Sequence, residues 1–215
     1  FDMGGTSTDV ALIHDLSPRM SHDNQIDAYP LRVPQYDIHT IGAGGGSIVW
    51  AQPDGTLGVG PQSAGAVPGP ACYGRGGSEA TMSDANLLLG RLPEGRALSG
   101  GLELSRDLAE AAFRSLGDAL GADDLSALAD SALRIAVAKM AGAVREVSVH
   151  RGYDPRDFVL IGFGGLGGLA IVLSLVLPSS LGNIGGTASL ETGIQVAIQA
   201  AEQIEVGQEH LPYNT

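Results

Sequence analysis

Residues 1–13 read FDMGGTSTDVALI: an apolar run into Asp2, a turn at Gly4-Gly5, the hydroxyls of Thr6, Ser7 and Thr8, and a second strand leaving from Asp9. Two glycines between β-prone runs let the chain double back, because glycine tolerates backbone angles that other residues resist. A turn of this kind aims successive backbone N–H groups at one point, where an anion can sit with no cationic side chain present. Asp2 cannot touch a phosphate directly, since like charges repel. It can hold a divalent cation through water, and the cation then bridges to the phosphate. The segment reads as half of a nucleotide-phosphate and Mg²⁺ site. A plain glycine β-hairpin capped by hydroxyl residues fits the same letters.

The 215-residue chain carries 24 acidic against 12 basic residues, a formal charge of −12. That balance argues against nucleic acid or an anionic membrane as the main partner. The 32 glycines cluster in loops without a period, so collagen-like and flexible-linker readings fail. A single cysteine, Cys72, rules out an internal disulfide and a thiolate zinc cluster, and fits a reducing cytoplasm. Phe1 opens no signal-peptide pattern. A chain starting at a strand end without an initiator Met is expected to be a piece of a longer polypeptide.

Along the chain, a polar loop at 14–25 precedes an expected strand near 26–33, ended by Pro34. The glycine loop GAGGGS follows at 42–47, and SIVWAQPDGTLGVG reads as a hairpin around Pro53-Asp54-Gly55. Residues 61–80 form a long glycine- and proline-rich loop, a type that usually carries function. A helix is expected from Ser83 or Asp84 to about Gly90. Ser105 caps a second helix, with Leu108, Ala112 and Leu116 on its apolar face, and a third runs from about Leu125 to His150. Residues 158–177 are uncharged and long enough to cross a bilayer. Their early glycines favour a buried strand, a tight loop and an apolar helix instead. A last amphipathic helix is expected at 189–206, then a frayed tail. The order of elements predicts a mixed α/β fold with a central sheet.

The second glycine loop, GFGGLGGLA at 162–170, follows the expected buried strand and precedes a helix. Glycines there let backbone approach a flat or anionic ligand closely. Tight helix–strand packing is the plainer alternative. Paired with the first turn, one loop would grip phosphates and the other would lie against adenosine. Among other candidates, Asp9 suits a structural hydrogen bond and Cys72 a buried small residue. Asp84 suits a helix N-cap better than a base or metal ligand. Arg75 fits an anion clamp or a surface ion pair. His39 and His150 lack ligand spacing.

The strings FDMGGTSTDVALI, IHTIGAGGGSIVW, LGVGPQSAGAVPGPACYGRGG, DANLLLGRL and RGYDPRDFVLIGFGG resemble the hydantoinase A/oxoprolinase family over residues 1–167. That family includes ATP-dependent 5-oxoprolinase, N-methylhydantoinase and subunits of acetone carboxylases. The resemblance implies an RNase H-like lobe of the actin/sugar-kinase/Hsp70-like ATPase type, with a mixed central sheet and flanking helices. Residues 1–206 would be the second lobe and 207–215 a tail, with a first lobe expected upstream.

The resemblance further implies ATP and Mg²⁺ as cofactors. Asp2 and Thr6 would be catalytic, Asp2 serving the metal. Gly4, Gly5, Thr6 and Ser7 would donate to the β- and γ-phosphates, and Gly164, Gly165 and Gly167 would line adenosine. The substrate would be a small cyclic amide, phosphorylated on its carbonyl oxygen and opened by water. Partners would be the first lobe and a hydantoinase B-type subunit or a second copy, in the cytoplasm. A ketone-activating subunit and a non-catalytic nucleotide-binding or assembly module are the rival readings. The chain departs from the family's GGAGPLHA continuation, placing Gly168 and Ala170 at the proline and histidine positions.

Overall fold

The computed structural model describes residues 1–21, 24–26, 29–92, 94, 101–162 and 164. Gly165, Gly167, most of the apolar run at 158–177, the helix expected at 189–206 and the tail lie outside the described residues.

Strands β1 (Asp2–Met3) and β2 (Thr8–Ala11) flank the first turn and pair antiparallel, Asp2 opposite Asp9 and Met3 opposite Thr8. Narrow ribbons follow. β3 (Ile13–His14) pairs with β4 (Ser17–Pro18). Next come β5 (Met20–Ser21), β6 (Asn24–Ile26), β7 (Tyr29–Leu31) and β8 (Gln35–Tyr36), with β6 on β7 and β5 on β8. The strand expected at 26–33 is thus two strands, because the chain doubles back where Ile26 pairs with Tyr29. It returns as β9 (Ile38–Ile41), which lies against β2 and completes a three-stranded sheet in the order β1-β2-β9.

β10 (Ser47–Ala51) and β11 (Leu57–Ser63) form the expected hairpin. Its turn is held by Asp54, whose Oδ1 accepts from the Thr56 N–H at 3.0 Å and the Thr56 hydroxyl at 2.7 Å. Gly55 supplies the positive φ of +81°.

Among the described residues three α-helices cover the sheets: α1 (Met82–Leu88), α2 (Arg106–Leu120) and α3 (Leu125–Val147). Helix α1 starts one or two residues earlier than expected, because Thr81 is its N-cap. Ser105 caps α2 as predicted, accepting from the Leu108 N–H. The buried face of α2 is Ala109, Ala112, Phe113 and Leu116, so it is rotated from the expected one, and Leu108 is exposed. Ala112 and Leu116 are buried as expected, and Phe113 rather than Leu108 fills the core beside them. Helix α3 ends at Val147, short of His150, and Asp124 caps its start by accepting from Ser126 N and Ala127 N.

Two cores meet along α3. Its first half packs Leu128, Ala129, Ala132, Leu133 and Ala136 with β10, β11, α1 and α2. Its second half packs Met140, Ala143 and Val147 against Phe1, Met3, Val10 and Ala43. At 1.5 Å per residue the 23-residue helix is about 34 Å long, enough to serve both. The mixed α/β class stands. The described sheets are small and antiparallel, and α3 rather than one broad sheet joins them.

After α3, residues 159–162 form no strand, and Val159, Leu160 and Ile161 are exposed among the described residues. This corrects the buried strand expected there. The Phe1 nitrogen, just before β1, donates to Ile161 O at 3.0 Å. Among the described residues no helix is long and apolar enough to cross a membrane.

Candidate functional site

The first turn is closed by the Gly4 N–H donating to Ser7 O at 2.9 Å, which corrects the expectation that Gly4 donates to a phosphate: its N–H is already engaged. Alternation along β2 sends Thr8 inward beside Met3, and its hydroxyl donates to Ala43 O at 2.5 Å. Thr8 therefore does not join Thr6 and Ser7 in presenting a hydroxyl outward; it anchors the turn to the loop behind it.

That loop, residues 42–47, explains the glycine run that sequence reasoning left without a duty. The Gly45 N–H donates to Gly4 O at 3.0 Å and the Gly46 N–H to Gly5 O at 2.6 Å. A Cβ on Gly44 would lie 2.8 Å from Gly4 O and from the Gly5 backbone, and one on Gly46 3.0 Å from Gly5 O. Backbone crosses backbone here, and no larger residue fits. Ser47 Oγ accepts from Gly44 N at 2.7 Å, while the Ser83 N–H and hydroxyl both donate to Gly45 O at 2.8 and 3.0 Å.

The consequence is directional. The turn's carbonyls are occupied from behind, and among the described residues none accepts a hydrogen bond from the N–H groups of Gly5, Thr6 or Ser7. Gly5 and Thr6 are exposed, and Gly5 faces open space on its Cα side. Consecutive free amides in an exposed glycine turn make an anion-binding concavity.

The second glycine loop reaches this turn. A Cβ on Gly164 would lie 2.5 Å from Asp2 Oδ1 and 2.8 Å from Met3 C, and Gly164 has a φ of +110°. Space and conformation both demand glycine, and residues 162 positions apart are in contact. Asp2 is half-buried at the edge of the turn. No group of three His, Cys, Asp or Glu side chains suited to a metal occurs among the described residues. A lone carboxylate still suits Mg²⁺, which keeps several waters and binds through one or two carboxylates plus phosphate oxygens.

Other candidates resolve into structural roles. Asp9 accepts from the Thr40 hydroxyl at 2.5 Å, the structural hydrogen bond expected of it. Asp84 is neither base, metal ligand nor N-cap. It is fully buried at the third position of α1, where Thr81 N, Thr81 Oγ1 and Cys72 N donate to its two oxygens at 2.9, 2.7 and 2.7 Å. This is a capping box extended to a third donor. Cys72 lies fully buried beside it. Burial, then the adjacent Asp84 charge, pushes the thiol far above its ordinary range, so it is no nucleophile. His150 pairs with Glu146 at 2.7 Å, and Arg75 is exposed. Ser63 went unread in the sequence: its hydroxyl lies 3.4 Å from Thr6 Oγ1 across 57 positions.

Comparison with known proteins agrees with this geometry. Residues 1–180 match the family described as hydantoinase/oxoprolinase. The alpha subunit of caprolactamase from Pseudomonas jessenii is 45% identical over 172 residues, covering 80% of this chain and 25% of that one. The crystal structure of that ATP-dependent caprolactamase matches with a TM-score of 0.72 at 44% identity, over 81% of this chain and 25% of that chain. The 5-oxoprolinase of Saccharomyces cerevisiae is 39% identical over 197 residues, 84% of this chain and 15% of that enzyme. A nucleotide-free acetone carboxylase structure matches with a TM-score of 0.72 at 28% identity, over 81% of this chain and 24% of that chain. The chain thus spans a quarter or less of the length of these relatives. With its glycine turn, its bracing loop and a match that runs through both, this chain belongs to the hydantoinase/oxoprolinase family.

Proposed function

We propose that this chain supplies the phosphate-gripping part of an ATP-dependent enzyme that opens a cyclic amide. The observation that carries the reading is the set of free N–H groups on Gly5, Thr6 and Ser7, with the Asp2 carboxylate and Gly164 beside them. In this reading Gly4 shapes the turn, and Gly5, Thr6 and Ser7 donate to the β- and γ-phosphate oxygens of ATP. Asp2 would hold Mg²⁺ through water, and the ion would supply charge neutralisation for the phosphates. Gly164, with Gly165 and Gly167 beyond it, would face the adenosine. The γ-phosphoryl passes to the amide oxygen as its bond to ADP breaks. Water would then add to the activated carbon, the C–N bond would break with the nitrogen taking a proton, leaving an acyl phosphate, and a second water would release phosphate and the carboxylate. The protein's share is positioning and stabilisation of charge by preset donors.

On this reading residues 1–206 form the second lobe of an RNase H-like ATPase of the actin/sugar-kinase/Hsp70 type, and 207–215 a tail. The facing lobe comes from polypeptide outside this stretch, for which the greater length of the relatives leaves room. A hydantoinase B-type subunit is the proposed partner and the cytoplasm the proposed compartment.

The test is an NMR titration of the ¹⁵N-labelled chain with ATP, with and without Mg²⁺. The amide resonances of Gly5, Thr6, Ser7 and Gly164 should move, and more strongly with Mg²⁺. In Asp2→Asn the Mg²⁺ enhancement should vanish while the metal-free response remains. Shifts confined to other parts of the chain, or no shifts at all, would sink the reading.

A further inference from the structure

Strand β11 ends at Ser63, opposite Ser47 in the hairpin register. The segment after it is docked on the bracing loop: Ala64 N donates to Gly46 O at 2.8 Å, and Gly46 N in turn donates to Gly5 O. A Cβ on Gly46 would lie 3.1 Å from Ser63 Oγ, so the Ser63 hydroxyl closes directly over that glycine. Ser63 Oγ accepts from the Gly65 N–H at 3.1 Å and lies 3.4 Å from Thr6 Oγ1. The start of the long glycine–proline loop is therefore the outer tier of the same brace that shapes the turn.

A hydroxyl has one proton and two lone pairs. Because Gly65 N–H already feeds the Ser63 oxygen, the Ser63 proton is available to Thr6. Once the Thr6 oxygen accepts it, the Thr6 proton is left to point elsewhere, and Thr6 is exposed. Phosphate oxygens carry only lone pairs, so a bound phosphate needs donors. Successive hydrogen bonds in one direction polarise and strengthen each other. Without Ser63, the Thr6 hydroxyl offers its proton or its lone pair indifferently.

We propose that Ser63 is a positioning residue of the phosphate site, orienting the Thr6 hydroxyl as a fourth donor beside the amides of Gly5, Thr6 and Ser7. This rests on the phosphate-site reading above. It assigns a duty to the 61–80 loop that neither its composition nor the family match supplies.

The experiment is a double-mutant cycle on the full chain, with Mg-ATP affinity read from the Gly5 and Ser7 amide shifts. Ser63→Ala should weaken binding roughly fivefold, the scale of one hydrogen bond. Ser63→Thr, which keeps the hydroxyl, should restore most of the loss. In a Thr6→Val background, Ser63→Ala should cost nothing further, because Ser63 acts only through the Thr6 hydroxyl. Equal losses from Ser63→Ala in both backgrounds would overturn the proposal in favour of a general packing role. Wild-type affinity in Ser63→Ala would overturn it outright. If the wild-type amides ignore Mg-ATP, the phosphate-site reading itself has failed and this inference goes with it.

Discussion

Gly164 rests against the carboxylate of Asp2, so close that a methyl group at position 164 would stand 2.5 Å from Asp2 Oδ1. The contact brings one residue of the second glycine-rich segment against the start of the first turn, 162 positions away. The backbone tie from Phe1 to Ile161 runs alongside it.

Gly164→Ala should therefore strain the site twice, through the clash and through the positive φ of +110°. We expect a loss of about 3 kcal/mol in urea unfolding. A loss below about 0.5 kcal/mol, with unchanged Asp2 and Met3 amide shifts, would mean the contact does not exist in solution.

Asp84→Asn should be costly although the site plays no chemical part in the proposed reaction. The carboxylate accepts three hydrogen bonds on two oxygens, and an amide keeps one of those oxygens while turning donors toward donors. Leaving buried donors unmatched should cost about 2–4 kcal/mol. Chemical denaturation of the variant checks it, and a near-neutral outcome would mean that Cys72 N and Thr81 find other acceptors.

Cys72 makes a prediction about pH. Burial and then the Asp84 charge raise its folded-state value well above that of a free thiol. Between the unfolded and folded values the unfolded chain has lost the thiol proton and the folded chain still holds it. The unfolded state then binds fewer protons, so stability falls as pH rises. The thiol's contribution is intact below about pH 8.5 and declines above it. Unfolding measured from pH 7 to 10 should show this slope, and Cys72→Ala should lack it. Native protein should also resist thiol reagents that label the unfolded chain at once. Prompt labelling of the folded chain would contradict the burial.

Much of the local chemistry was legible, although the Thr81 cap of α1, three residues before Asp84, was missed. Gly4-Gly5 marked the turn, Pro53-Asp54-Gly55 the hairpin, and Ser105 the start of α2 with no error in position. What could not be read was which residue met which across the fold. Asp84 was placed at a helix start, but its third donor, Cys72 N, comes from a separate loop. Thr8 shared its letters with Thr6, and only pairing with β9 and contact with Ala43 showed that it points inward. On α2 the core took Phe113 and left Leu108 exposed, a choice that a helical spacing of apolar residues does not specify.

The order of residues alone determined the family, the sharp turn after Asp2 and the wealth of glycine that such a turn requires. Folding decided the polarity of that turn. The amides of residues 45 and 46 took its carbonyls from behind, so the N–H groups of residues 5, 6 and 7 remain without acceptors among the described residues. Glycine permits a conformation, but which of its polar groups remains free depends on the backbone that comes to lie against it.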